Sequence, residues 1–211
     1  MLLGEQMSVR EFARRELIFN KGASADALYF LIEGRLQAVD FTVDGREVGL
    51  YFVNLGDFFG ELAVTDCKAH PEFMIAVAKA KVAVMPLLSA RDLIASEPLV
   101  ANAILARLAE RLRSVAAHRT LLFLPSPAQR VCAQLSLLIE RNMQGNSVIP
   151  HAPTHQELAI MINTSRETVT RVFQILQAKD VLRRDGHQFI VTDNDYLLSI
   201  AEGKTELPKV A

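Results

Sequence analysis

The sequence has two cysteines, no tryptophan and no net charge worth the name. The cysteines, Cys67 and Cys132, are too few and too far apart for a disulfide framework, a cysteine-rich metal site or a four-cysteine iron–sulfur site. Lys and Arg number 23 against 24 Asp and Glu, so global charge gives no pull toward nucleic acid or membrane. No uncharged apolar run reaches membrane-spanning length, and no basic start followed by an apolar stretch marks a signal peptide. A soluble cytoplasmic protein is expected. Catalytic signatures are missing as well. Histidine has no partner at zinc spacing, and Ser–His–Asp, P-loop and dinucleotide patterns are all absent, so an enzyme is not expected.

What is present points to an ordered, divided chain. Half of the 211 residues are hydrophobic, enough for one large or two modest domains, and the 22% that are charged argue against disorder. The charge is unevenly spread. Residues 1–97 hold 10 Lys and Arg against 14 Asp and Glu, residues 98–123 hold four Arg against one Glu, and residues 124–211 hold nine of each. An acidic front with a neutral back suits a DNA contact confined to a small surface.

Residues 1–95 read as short strands between glycine turns. Leu28–Ile32, Leu36–Val43 and Glu47–Val53 are rich in β-branched and aromatic residues, and Asp44–Gly45 is a hairpin signal. Phe73–Leu87 supplies more strand, and the whole suggests a small barrel or sandwich. Near Ser96-Glu97-Pro98 the period becomes helical, with a hydroxyl cap and an early proline. Leu105, Leu108, Leu112, Val115, Arg119 and Leu122 then recur at alternating spacings of three and four, a heptad seam that favours a homodimer. The expected division is 1–95, 96–124 and 125–211, the last opening at Pro125-Ser126-Pro127.

In the last segment a helix is expected from Ser126 to about Met143, stopped at Gly145. Thr154-His-Gln-Glu157 and Thr164-Ser-Arg-Glu167 both read as capping boxes. They leave room for a short helix, a tight turn and a second helix, which is helix-turn-helix spacing. "VLRR", Asp185-Gly186 and "HQFIV" follow as a two-stranded wing. On the second helix, Val169, Val172, Phe173 and Leu176 form one apolar face. Arg166, Glu167, Thr170, Arg171 and Gln174 form the other. Arginine can grip guanine with two hydrogen bonds and glutamate can accept from the cytosine amino group, so this face suits base reading in a major groove. His118 is expected on the surface or in the seam, and His151, His155 and His187 add at most phosphate contacts when protonated. Residues 201–211 read as a polar, mobile tail.

Three stretches together resemble the CRP/FNR-type bacterial transcription regulators. Phe19–Leu36, "FNKGASADALYFLIEGRL", is similar to the opening of that family's cyclic-nucleotide-binding β-roll. Gly56–Leu62, "GDFFGEL", resembles its effector cassette, and Thr154–Gln177 resembles its helix-turn-helix. The resemblance implies an α+β chain: a jelly-roll-like β-roll sensor, a long dimerisation helix and a winged helix-turn-helix. It implies Arg166, Glu167 and Arg171 as base readers of a GTGA-like half-site, with Thr154, Gln156, Ser165 and Thr170 supporting them. Double-stranded DNA, a second copy of the chain and RNA polymerase are the implied partners. The runner-up is a binding module whose winged helix serves protein contacts.

The same resemblance implies an effector site at Gly60, Glu61 and Leu62, with Ser114 the nearest approach to a hydroxyl pair on the long helix. Here the chain departs from the family pattern. Where the family places an arginine on the cyclic phosphate, this sequence has Glu72-Phe73, and no arginine stands between Arg46 and Arg91. A carboxylate repels a phosphate, and arginine's fork is hard to replace. Lys68 is expected to face solvent. Cyclic AMP is therefore not expected as the effector. A less charged effector, haem held by Cys67 and His70, a redox-active Cys67, or a pocket filled by Phe58, Phe59, Phe73 and Met74 remain open. Haem rests on one cysteine and one histidine only.

Overall fold

The computed structural model describes residues 7–150, 152–186 and 188–207. His151, His187 and the last part of the expected polar tail lie outside the described residues. The chain forms two compact units, residues 1–113 and 114–211. The division falls inside the long helix, not at either of its ends.

The first unit is built from strands β1 (Ser8–Phe12), β2 (Leu17–Phe19), β3 (Ala27–Glu33), β4 (Leu36–Phe41), β5 (Glu47–Val53), β6 (Phe58–Phe59), β7 (Phe73–Ala76) and β8 (Ala80–Pro86). They make two antiparallel four-stranded sheets, in the orders β1-β8-β3-β6 and β2-β7-β4-β5. The β4–β5 hairpin turns at Asp44–Gly45 as its sequence requires. Gly45 has φ of 80°, and its N–H donates to the Thr42 carbonyl at 2.8 Å. Leu36, Ala38, Val53, Phe59 and Met74 are fully buried in the core of this β-roll. Phe19, Tyr29 and Phe59 stack through it, with ring centroids 5.1–6.1 Å apart.

Helices α1 (Glu61–Asp66) and α2 (Leu87–Ser96) and the first part of α3 (Pro98–Leu122), up to Arg113, complete the unit's elements. The expected strand to Leu87 is split in two at Val77, whose N–H leaves the ladder for the Arg35 carbonyl. The expected helix start at Ser96 is corrected. Ser96 ends α2, and its hydroxyl donates back to the Leu93 carbonyl at 3.5 Å. Glu97, in extended backbone, separates α2 from α3. A second apolar cluster of Leu28, Val64, Met85, Ala90 and Ile104 packs with Leu108, so the early turns of α3 belong to this unit.

The second unit contains α4 (Pro127–Leu137), β9 (Glu140–Arg141), β10 (Ser147–Ile149), α5 (His155–Met161), α6 (Arg166–Ala178), β11 (Leu182–Asp185), β12 (Gln188–Val191) and α7 (Asn194–Ala201). A full capping box of Ser126 and Gln129 starts α4, with Pro127 in its first turn. The helix stops short of the expected Met143. The Asn142 side chain instead accepts from the N–H groups of Gln144 and Asn146, and Gly145 takes φ of 80° in the turn between β9 and β10. The sheet runs β11-β12-β10-β9, and β11 and β12 form the expected wing. Helix α7, not foreseen from the sequence, packs on α4 and ends at Ala201, the first residue of the expected tail.

Gly34, between β3 and β4, has φ of 89°, and a Cβ there would lie 2.2 Å from the Lys79 carbonyl oxygen. Backbone cannot step aside as a flexible side chain can. Gly34→Ala is expected to destabilise the first unit by more than ~1 kcal/mol, read from its transition in denaturant unfolding; an unchanged midpoint would contradict this.

Candidate functional site

Two groups of side chains carry chemistry, one in each unit. In the β-roll, α3 presents two arginines one turn apart. The Gly56–Leu62 cassette presents two carboxylates at the same spacing. Arg107 Nη2 lies 3.1 Å from Asp57 Oδ2, and Arg111 Nε lies 3.1 Å from Glu61 Oε1. Glu61 opens α1 and is only 4% exposed, so the pairing with that guanidinium offsets the cost of its burial. The other face of the guanidinium lies on the Tyr51 ring, 3.2 Å from its centroid. Tyr51 in turn donates its hydroxyl to Glu72 Oε1 at 2.6 Å. One connected chain thus runs Glu61–Arg111–Tyr51–Glu72.

The electrostatics follow from burial. Desolvation holds the Tyr51 hydroxyl well above the ordinary phenol value, so Tyr51 remains a donor. Desolvation also raises the Glu72 carboxyl above its ordinary value, against the hydrogen bond from Tyr51 and the charge of Arg111. A cyclic phosphate near Glu72 would meet a carboxylate with its own donor already in place. Glu61, where the family resemblance implies a ribose contact, is ion-paired with Arg111.

The sequence-expected site members are scattered. Gly60 has φ of 83° and lies against the Tyr29 ring, with no room for a Cβ. Leu62 and Ser114 are exposed, and α3 contributes Arg111 to the cluster where Ser114 was expected. Phe59 and Met74 are core residues, Phe58 packs beside α2, and Phe73 meets Phe41 edge-on at 5.3 Å. Lys68 faces solvent beside Asp66. Cys67 is exposed with its Sγ against the Arg91 guanidinium, whereas His70 is buried and stacked on Phe19 at 3.8 Å. Among the described residues, no group of three or more His, Cys, Asp or Glu is placed to hold a metal ion. Arg107, Arg111 and Tyr51 escaped the sequence reading. The four-residue spacing shared by 107/111 and 57/61 is the signal for the two arginines; Tyr51 has none.

The second group lies on α5 and α6. The Thr154–Glu157 capping box is complete, with bonds of 3.2 and 2.7 Å. The second expected box is corrected. Thr164 N–H closes the turn onto the Ala159 carbonyl, with Asn163 at φ of 50°, and Ser165 becomes the cap. The Ser165 hydroxyl accepts from Thr168 N–H at 3.2 Å, which leaves Glu167 in the second helical position. There its own N–H and the Ser165 hydroxyl hold the Glu167 carboxyl below its ordinary value. Val169, Val172, Phe173, Ile175 and Leu176 are buried. Arg166, Glu167, Arg171 and Gln174 are exposed on the opposite side, with Ser165, Thr154 and Gln156 exposed nearby in sequence and Thr170 half-buried. Arg130 ties α4 to this turn, donating to the carbonyls of Leu124 at 3.0 Å and Asn163 at 3.5 Å.

On α3, Leu105, Leu112, Val115 and Leu122 are exposed, whereas Leu108 is half-buried against the first unit's second cluster. Among the described residues, no helix is long and apolar enough to cross a membrane.

Comparison with known proteins finds a matching family model in each unit. A family model of the cyclic nucleotide-binding domain matches residues 9–97, and one of the Crp-like helix-turn-helix domain matches residues 129–200. The chain is 30% identical over 174 residues to the Cyclic AMP receptor protein of Thermus thermophilus, covering 82% of this chain and 79% of that protein. It is 27% identical over 198 residues to the CRP-like cAMP-activated global transcriptional regulator of Mycobacterium tuberculosis, covering 92% and 88%. Among solved structures, FixK2 from Bradyrhizobium japonicum shares the fold, with a TM-score of 0.79 at 20% identity over 97% of this chain and 98% of that one.

Glu72 makes stability depend on pH in a definite sense. Its carboxyl is raised on folding, so its favourable contribution is complete below the unfolded value near 4.5 and is lost as pH rises through the folded value. Glu72→Gln carries no titrating proton and keeps an acceptor for Tyr51. It is expected to be more stable than wild type at pH 7, with the difference shrinking as the pH falls toward 4.5, measured by urea unfolding at each pH. A difference that grows on acidification would contradict the burial argument.

Proposed function

The chain belongs to the CRP/FNR-type DNA-binding transcription regulators, and we propose that it works as a homodimer reading a GTGA-like half-site repeated as an inverted palindrome. The observation that carries this reading is the division of α6. One face is fully committed to the core, and the other leaves Arg166, Glu167 and Arg171 exposed at its N-terminal end. That end is the one a helix-turn-helix presents to base edges. Thr154, Gln156 and Ser165 contact phosphate in this reading and fix register without reading sequence. The exposed Leu105, Leu112, Val115 and Leu122 on α3 form the seam between two copies. In the dimer the two recognition helices meet successive major grooves about one helical turn apart.

The regulators named among its relatives support a role in regulation, not catalysis. The effector differs from theirs in our reading. The relatives named above are described as cyclic AMP receptors or cAMP-activated; in this chain Glu61 is paired with Arg111, and Glu72 stands near where the family resemblance would put an arginine on the phosphate. The β-roll is held by its own side chains, and cyclic AMP is not its effector. A second reading has one observation behind it: among the described residues, Arg111 Nη2 is buried without a hydrogen-bond partner. A neutral polar effector with an acceptor oxygen would satisfy it.

Arg171→Ala tests the DNA reading. It is expected to cost roughly 1–3 kcal/mol and to relax preference at one base pair, measured by anisotropy on duplexes substituted one pair at a time. An equal loss on every duplex would make Arg171 a phosphate contact.

A further inference from the structure

One hydroxyl joins the two helices of the helix-turn-helix. Thr170 Oγ1, on α6, lies 2.9 Å from the Arg166 carbonyl oxygen one turn back and 2.8 Å from His155 Nδ1 at the start of α5. A hydroxyl has a single proton, and a carbonyl can only accept. The Thr170 proton therefore goes to the Arg166 carbonyl, and the remaining lone pair takes a proton from His155 Nδ1–H. This fixes the tautomer of His155. Burial, with the nearby charges of Arg166 on α6 and Arg184 on the wing, lowers the pKa of His155, so the ring is neutral at pH 7. The same ring packs 4.6 Å from Phe173, a fully committed core residue of α6. The imidazole is thus held to α6 at two points, one at the core and one at the reading end.

Resting on the DNA reading above, we propose that His155 and Thr170 are positioning residues for Arg166. They form a cross-helix brace that fixes the first turn of the recognition helix against α5 and thereby sets its base selectivity. The physical need is directional. A bidentate arginine–guanine contact tolerates little rotation of the backbone that carries it. Ser165 caps the turn through Thr168, and it does not tie Arg166 to α5. The chain from His155 through Thr170 ends on the Arg166 carbonyl itself. A threonine bonded to the carbonyl four residues back also bends a helix slightly, so the brace selects one curvature for the reading end.

The test uses the full-length protein and anisotropy titrations on the GTGA palindrome, its single-pair substitutions and a scrambled duplex, each at several salt concentrations. Thr170→Val and His155→Phe remove the brace while keeping shape. Each is expected to lower discrimination at the base pair read by Arg166 by roughly three- to tenfold, with the salt slope unchanged. Thr170→Ser and His155→Asn keep a hydroxyl and a donor, and both are expected to retain most of the wild-type discrimination. A uniform loss with a salt slope shallower by about one in His155→Phe would make His155 a phosphate contact and overturn the proposal. An unchanged profile in Thr170→Val and His155→Phe would overturn it too, as would equal loss in Thr170→Ser and Thr170→Val. If wild type itself does not discriminate between duplexes, the DNA reading fails first and takes the brace with it; a selective wild type with unaltered variants removes the brace alone.

Discussion

The ion pair between Arg111 and Glu61 sets the first unit's working end. Glu61 is a nearly fully buried carboxylate at the start of a short helix, and a buried charge without a partner costs several kcal/mol. The partner comes from fifty residues further along the chain, on α3. That requirement fixes the register of α3 against the cassette, and the Arg107–Asp57 pair repeats it one turn earlier. Once Arg111 is in place, its flat face needs a neighbour, and Tyr51 supplies an aromatic ring. Tyr51 is then held where its hydroxyl meets Glu72. Each link offsets part of the desolvation of the next.

The second unit obeys a different constraint, set by helix ends. Capping at Ser126, Thr154 and Ser165 fixes where α4, α5 and α6 begin. The positive φ at Asn163 makes the tight turn between α5 and α6. With those ends in place the apolar face of α6 has one way to be buried, and the polar residues are exposed as a consequence. The exposed face that we propose reads DNA is therefore a by-product of where the core lies, and Thr170 and His155 join it to α5.

Much of this was legible in the sequence, and the failures have physical causes. Strands with β-branched runs and glycine turns, the Asp44–Gly45 hairpin, the Thr154–Glu157 box and the wing are local features, and they stand where their residues place them. The box expected at Thr164 moved by one residue because the Thr164 N–H was needed to close the turn on Ala159. Helix α4 was overextended because Asn142 and Gly145 favour a turn more strongly than Leu138 and Ile139 favour a helix. The α3 stripe was read wholly as a seam, and that reading hid Arg107 and Arg111 in the same turns. Their partners are distant in sequence, and nothing local marks an arginine as inward-facing. Glu72 was seen as an obstacle to phosphate, but its link to Tyr51 required the fold.

The central claim is that the β-roll, held by its own side chains, leaves a dimer able to read DNA without a cyclic nucleotide. The most direct measurement is an anisotropy titration of the purified, effector-free wild-type protein. It uses a GTGA-containing palindromic duplex and a scrambled control at fixed salt, with and without excess cyclic AMP. The account predicts selective binding without cyclic AMP and no change on adding it. Selective binding that appears only with cyclic AMP would contradict it.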